Sequence, residues 1–244
     1  MLPSDPGPKT GPQVLVPAET MRSPDLLRSV CHDLRAPLAS IVMGAGFLRR
    51  ALPPEDLNAL RVVEAMRRAA DGMNRVITTF ADLSRLQMHE LALEIAPHDV
   101  ASVVKAVFDE LVADPAAQGV AVSLELDPGI PPLPCDRERL VQVLRQLAEA
   151  AVRVVPDRGT IELRATARGS GAVRFEVVVR RHPDPGSRSI TMDPPSPALA
   201  LARGLVALHG GSLSVVRDGD TCTLSFDLSS PGGVSPEPAP VGAH

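Results

Sequence analysis

Residues 30–38 read Val-Cys-His-Asp-Leu-Arg-Ala-Pro-Leu, which sets His32 beside Asp33 and places Pro37 five residues after the histidine. An imidazole attacks phosphorus only through an unprotonated ring nitrogen, and a carboxylate hydrogen-bonded to the other nitrogen fixes that tautomer and raises its basicity. Asp33 is placed to be that carboxylate. Pro37 has no backbone N–H to offer the carbonyl of Asp33, so a helix running through this segment is expected to bend beside the histidine. The grouping reads as a nucleophilic histidine for phosphoryl transfer. The competing reading is an ordinary surface pair on a dimerisation helix. His89, His98, His182, His209 and His244 lack such neighbours and read as structural or solvent-facing.

The elements that must hold this pair are helical. Ser23, Pro24 and Asp25 make a helix start, with a capping hydroxyl, a proline at the first helical position and an acid against the dipole. From there Leu27, Cys31, Leu34, Leu38, Ile41, Ala45, Leu48 and Leu52 recur in alternating steps of four and three, the spacing of a heptad seam. At ~1.5 Å per residue such a helix is about 45 Å long. Gly44 and Gly46 each weaken it by about 1 kcal/mol relative to alanine, so packing has to hold it. Pro53 and Pro54 end it, and a second apolar series follows through Val63, Met66, Ala70, Met73, Ile77 and Phe80. The short connection forces the two helices antiparallel. One hairpin cannot close a core, whereas two form a four-helix bundle, so the spacing predicts a homodimer built on residues 23–90.

Beyond Leu91 the periodicity becomes mixed. Helical stretches near 98–113, 136–154 and 197–209 alternate with strand-like runs at 120–126, 160–167, 173–179, 212–216 and 221–226. This predicts an α/β sandwich over residues 91–229. Residues 1–22 and 230–244 are rich in Pro, Gly and Ser without periodicity, and are expected to be disordered. Neither end carries a recognisable sensor segment, so an input signal is expected to come from another protein.

Composition narrows the partners. A net charge of −4 gives no reason to expect nucleic acid or an anionic membrane surface. Cys31, Cys135 and Cys222 are too scattered for a disulfide framework or a zinc site, which suits a reducing compartment. No apolar run approaches the roughly 20 residues of a membrane helix, and the proline-rich start has no signal-peptide h-region. A cytoplasmic chain is expected.

The His-Asp-x-x-Ala-Pro run, the heptad hairpin and the sandwich after it together resemble the bacterial histidine kinase core over about residues 23–228. In that family a dimerisation and histidine phosphotransfer hairpin precedes an ATP-binding module. The resemblance implies that His32 is the phosphoacceptor and Asp33 its orienting acid. It also implies that Ala36 stands where family phosphatases carry a Thr or Asn to orient water. The helix from 136 to 154 aligns with the one bearing the family's asparagine box. Its expected buried face is Leu140, Val143, Leu144, Leu147, Ala151 and Val154, with Gln146, Ala150 and Arg153 on another face. The family places asparagines at Gln146 and Ala150, the second of them a Mg²⁺ ligand, and an alanine methyl cannot ligate. The family's Asp-x-Gly-x-Gly shrinks here to Asp184-Pro185-Gly186, and Asp193-Pro194-Pro195-Ser196-Pro197 replaces a glycine-rich phosphate cradle with prolines that lack the necessary N–H donors.

The chain thus resembles dimeric histidine phosphotransferases with a degenerate ATPase-like domain. The resemblance implies exchange of phosphoryl groups with response regulator receiver domains, no bound cofactor or metal of its own, and Mg²⁺ supplied by the partner regulator. Two alternatives stand beside it. One is an ATP-dependent histidine kinase acting in cis, or phosphorylated in trans by a partner kinase. The other is a non-catalytic module that binds regulators or kinases.

Overall fold

The computed structural model describes residues 23–114, 117, 119–155, 158–181 and 196–229. The segments expected to be disordered, 1–22 and 230–244, lie outside the described residues, as do His182, Asp184, Gly186 and the prolines 194 and 195.

Two long helices come first, α1 (Ser23–Ala51) and α2 (Leu57–Gln87). The first stops before Pro53. The second is capped by Asp56, whose carboxylate accepts a hydrogen bond from the backbone N–H of Ala59, satisfying one of the donors a helix start leaves unpaired. The helices pack as a hairpin around Cys31, Leu38, Ala70 and Ile77, flanked by Val42, Phe80 and Ala81. Low numbers on α1 meet high numbers on α2, as in the Arg28–Glu90 ion pair at 2.8 Å, so the pair is antiparallel.

The apolar seam expected along α1 divides into two rows. Cys31, Leu38 and Ala45 are buried, spaced by seven, and face the matching buried row Val63, Ala70 and Ile77 of α2. The other half of the seam, Leu34, Ile41 and Leu48, is 43–45% exposed, as Met66 and Met73 on α2 are at 43% and 53%. A helix turns by about 100° per residue, so positions three or four apart share a side without sharing a partner. The second row runs the length of the hairpin and has no apolar cover within the chain's described residues.

The remaining elements are β1 (Ala96–His98), α3 (Val100–Ala113), β2 (Ala121–Leu126), β3 (Leu133–Cys135), α4 (Arg137–Val154), β4 (Thr160–Arg168), β5 (Ala172–Arg180), α5 (Pro197–Leu208), β6 (Ser214–Asp218) and β7 (Thr221–Ser229). Five strands form one sheet in the order β2-β4-β5-β7-β6, with β2 parallel to β4 and every other pairing antiparallel. Alternation along the strands sends Ile161, Leu163, Val173, Phe175, Val177, Cys222, Leu224 and Phe226 into one core with α3, α4 and α5. Phe175 and Phe226 stand opposite each other in the register and stack at 4.9 Å between ring centroids. The other face carries charge, including Arg174 bonded through both Nε and Nη2 to the Asp227 carboxylate at 2.8 and 2.7 Å. The two-stranded sheet β1-β3 was not foreseen from periodicity. Among the described residues no helix is long and apolar enough to cross a membrane.

All three cysteines are buried, and none is in a disulfide. Burial, with the carboxylate of Asp136 nearby, pushes the Cys135 thiol up to about 11, and burial also raises that of Cys222. Since the thiolate is the reactive form, native protein at pH 8 is expected to leave Cys135 and Cys222 unmodified by a small disulfide reagent, whereas denatured protein should titrate all three thiols. Rapid labelling of Cys135 in the native state would show that its core is open.

Candidate functional site

Cys31 points α1 into the hairpin, and the next residue is therefore swung toward solvent. His32 has 83% of its side chain exposed and Asp33 76%, with Nδ1 of the ring 3.3 Å from Oδ1 of the acid. With the Nδ1 hydrogen directed at Asp33, Nε2 is left with its lone pair free. The bond is long and solvent-screened, so it biases ring orientation rather than adding much stability. Pro37 lies one turn on, and α1 continues through it. The turn beside it is adapted as well: Ser40 Oγ donates to the carbonyl of Ala36 at 3.2 Å, a local bond that often accompanies helix bending. Together these make an accessible imidazole on a helix whose hydrogen-bond ladder is interrupted within two turns.

The sandwich sits against α2, while His32 is on α1. Leu83 near the end of α2, and Leu91 and Leu93 just after it, join the main core. Asp82 is 5% exposed, and its Oδ2 accepts from Nη1 of Arg139 at 3.0 Å and from Nε2 of Gln142 at 2.8 Å, both on α4. Arg75 lies 3.4 Å from Glu149 on the same helix. Sequence reasoning missed this aspartate. A single acid on the polar stripe of a helix gives no sign of the second domain that covers it.

The α4 positions need a correction. Gln146 and Ala150 are buried, at 6% and 5% exposure, rather than lying apart from the buried face; Arg153 is exposed and Val154 half-buried. The reason is that α4 has more neighbours than a one-sided amphipathic helix: the sheet lies beneath it, α3 and α5 lie along it, and long side chains tie it to α2. Gln146 Oε1 has no hydrogen-bond partner among the described residues. Of the positions aligned with the asparagine box, one therefore presents a methyl and another a neutral amide oxygen inside the fold. A methyl at position 150 supplies no oxygen to a cation. His209 is structural: Nδ1 donates to the Leu205 carbonyl at 2.8 Å and Nε2 accepts from the N–H of Asp136 at 3.1 Å. Asp136 in turn caps α4 through Arg139 N–H and holds the N–H of Glu94.

Residues 25–89, which span the hairpin and its histidine, match the His Kinase A (phospho-acceptor) domain family. The hairpin is a histidine kinase phospho-acceptor domain, and the sheet domain after it has a fold found in solved histidine kinases. The chain is similar over 91% of its length to Sensor protein DivL of Caulobacter vibrioides, at 29% identity, and spans 30% of that protein. The Alginate biosynthesis sensor protein KinB of Pseudomonas aeruginosa is 27% identical over 81% of this chain, which spans 35% of it. The chain thus covers about a third of the curated relatives it matches. Among solved structures, full-length ShkA in complex with AMPPNP superposes with a TM-score of 0.65 over 86% of this chain and 47% of that one, at 23% identity. ThkA in complex with the response regulator protein TrrA superposes with a TM-score of 0.51 over 85% and 61%, at 18% identity. Both likenesses are of fold.

Proposed function

We propose that this protein is a phosphorelay component in which His32 takes a phosphoryl group from the aspartyl phosphate of one response regulator and hands it to the aspartate of another. The observation that carries the reading is the exposed His32 on α1, clear of a sandwich that is held on α2. Nε2 attacks phosphorus, an N–P bond forms, and the P–O bond to the aspartate breaks with the carboxylate leaving. As positive charge develops on the ring, the Nδ1 hydrogen shifts toward Asp33. The reverse step transfers the group to the second regulator. Such in-line transfer needs mainly positioning and charge stabilisation, and a divalent ion bound by the regulator would supply the latter. That ThkA is known in a complex with a response regulator supports the choice of partner. The chain is read as a cytoplasmic homodimer, with the exposed row Leu34, Ile41, Leu48, Met66 and Met73 as its seam.

A second reading, an ATP-dependent sensor kinase working in cis or phosphorylated in trans, is favoured by the names of the relatives and by the nucleotide analogue bound to ShkA. Against it stand Ala150 and the buried Gln146 on α4. Labelled phosphate separates the readings. Purified protein is offered Mg·ATP alone, Mg·ATP with a competent histidine kinase, or a phosphorylated receiver domain. Label arriving from the receiver alone is the expected result. Label from Mg·ATP alone overturns the relay reading in favour of the kinase, and label from no donor leaves a binding module.

A further inference from the structure

The contact between hairpin and sandwich lies on the C-terminal half of α2, where Leu83 joins the sandwich core and Arg75 and Asp82 make polar contacts with α4. Toward the loop end of the hairpin, α2 separates from α3 and α4, leaving an open cleft of about 820 Å³ bordered by Arg67, Asp71, Glu110 and Arg153. Beyond the Arg75–Glu149 pair the helices close up toward the other end. There the carboxylate of Asp82 is shared between Arg139 and Gln142, and Leu86 lies directly over Gly204 of α5. A side chain at position 204 would have its first carbon 2.0 Å from Leu86 Cδ2, so Leu86 would have to move to admit one. The connection to β1 begins immediately after, at Met88, with His89 in a left-handed conformation at φ 57°. A covered carboxylate that loses its cationic partner is strongly disfavoured, which makes such a contact all-or-none.

We propose that Asp82, with Arg139, Gln142 and the Leu86–Gly204 contact, forms a latch that fixes the sandwich on the flank of α2 in one orientation. In the latched state the α4/α5 side of the sandwich is engaged by the chain's own α2, and His32 faces outward from the neighbouring helix. The sandwich then serves as a fixed wall beside the phosphoacceptor helix. The latch does not depend on whether His32 draws phosphate from a regulator or from ATP.

The test uses the full chain. Asp82→Arg places a cation against Arg139, and Gly204→Gln keeps a good helix former in α5 while removing the space for Leu86. Either variant is expected to increase the radius of gyration in small-angle X-ray scattering and to speed amide exchange along residues 82–94, with helix content by circular dichroism unchanged. The pair Asp82→Arg with Arg139→Asp is expected to restore the compact value. Should Asp82→Arg fail to fold, Gly204→Gln decides alone. Wild-type dimensions and exchange in Gly204→Gln, or an Asp82→Arg chain that folds and stays compact, would overturn the latch.

Discussion

His32→Ala is expected to lose phosphoryl acceptance from a phosphorylated receiver domain by more than about a thousandfold, the scale on which removal of a nucleophile acts. The loss should occur with no change in folding. The side chain is 83% exposed and bonds to a neighbour that is itself in solvent, so stability should shift by no more than about 0.5 kcal/mol. Circular dichroism melts of wild type and variant should therefore overlay while acid-labile label disappears. Asp33→Asn should sit between the two, with a loss of about 10- to 100-fold, because an amide can still orient the ring but no longer stabilises its positive charge. Retention of label in His32→Ala would move the acceptor elsewhere and leave the hairpin with a docking role only.

If the outward row is the seam of the proposed dimer, Ile41→Glu is expected to leave a monomer. Ile41 is 45% exposed in the middle of the second apolar row, between Leu34 and Leu48. Burying a side chain of this kind contributes about 1.5–3 kcal/mol, and a two-fold axis counts each substitution twice. Replacing a buried apolar contact by an unpaired carboxylate adds the cost of taking that charge from water, which is several kcal/mol. Since about 1.4 kcal/mol is tenfold in a dissociation constant, the constant should rise by roughly a thousandfold or more. Sedimentation equilibrium would read this directly. A wild-type chain that is monomeric at micromolar concentration, or an Ile41→Glu chain that remains a dimer, would place the seam elsewhere.

Much of this architecture is legible in the sequence, for physical reasons that also mark where legibility stops. Heptad spacing from Leu27 to Leu52 defines a helix with an apolar side, and Pro53 with Pro54 defines its end. Spacing cannot divide that side into the row facing α2 and the row facing outward, because both satisfy the same repeat. The five main strands follow from alternation, whereas β1 and β3 are three residues each and contain Pro97 and Pro134. Too short to alternate and carrying residues disfavoured in sheets, they are visible only through their pairing. His32, Asp33 and Pro37 are local, and their placement follows from one helix alone. Gln146, Ala150 and Asp82 depend on what packs across them, so a reading of α4 or α2 in isolation misjudges their burial.

Half of the row that joins α1 to α2 is small side chains: Cys31, Ala45 and Ala70 stand among Leu38, Val63 and Ile77. Small residues let two helix axes approach closely, but they bring little apolar area with them. Each hairpin is therefore thin-walled, and most of the oily surface it could bury belongs to the outward row. On dilution, helicity and self-association should fade together, so that the amount of protein present sets how much of it is competent to carry phosphate.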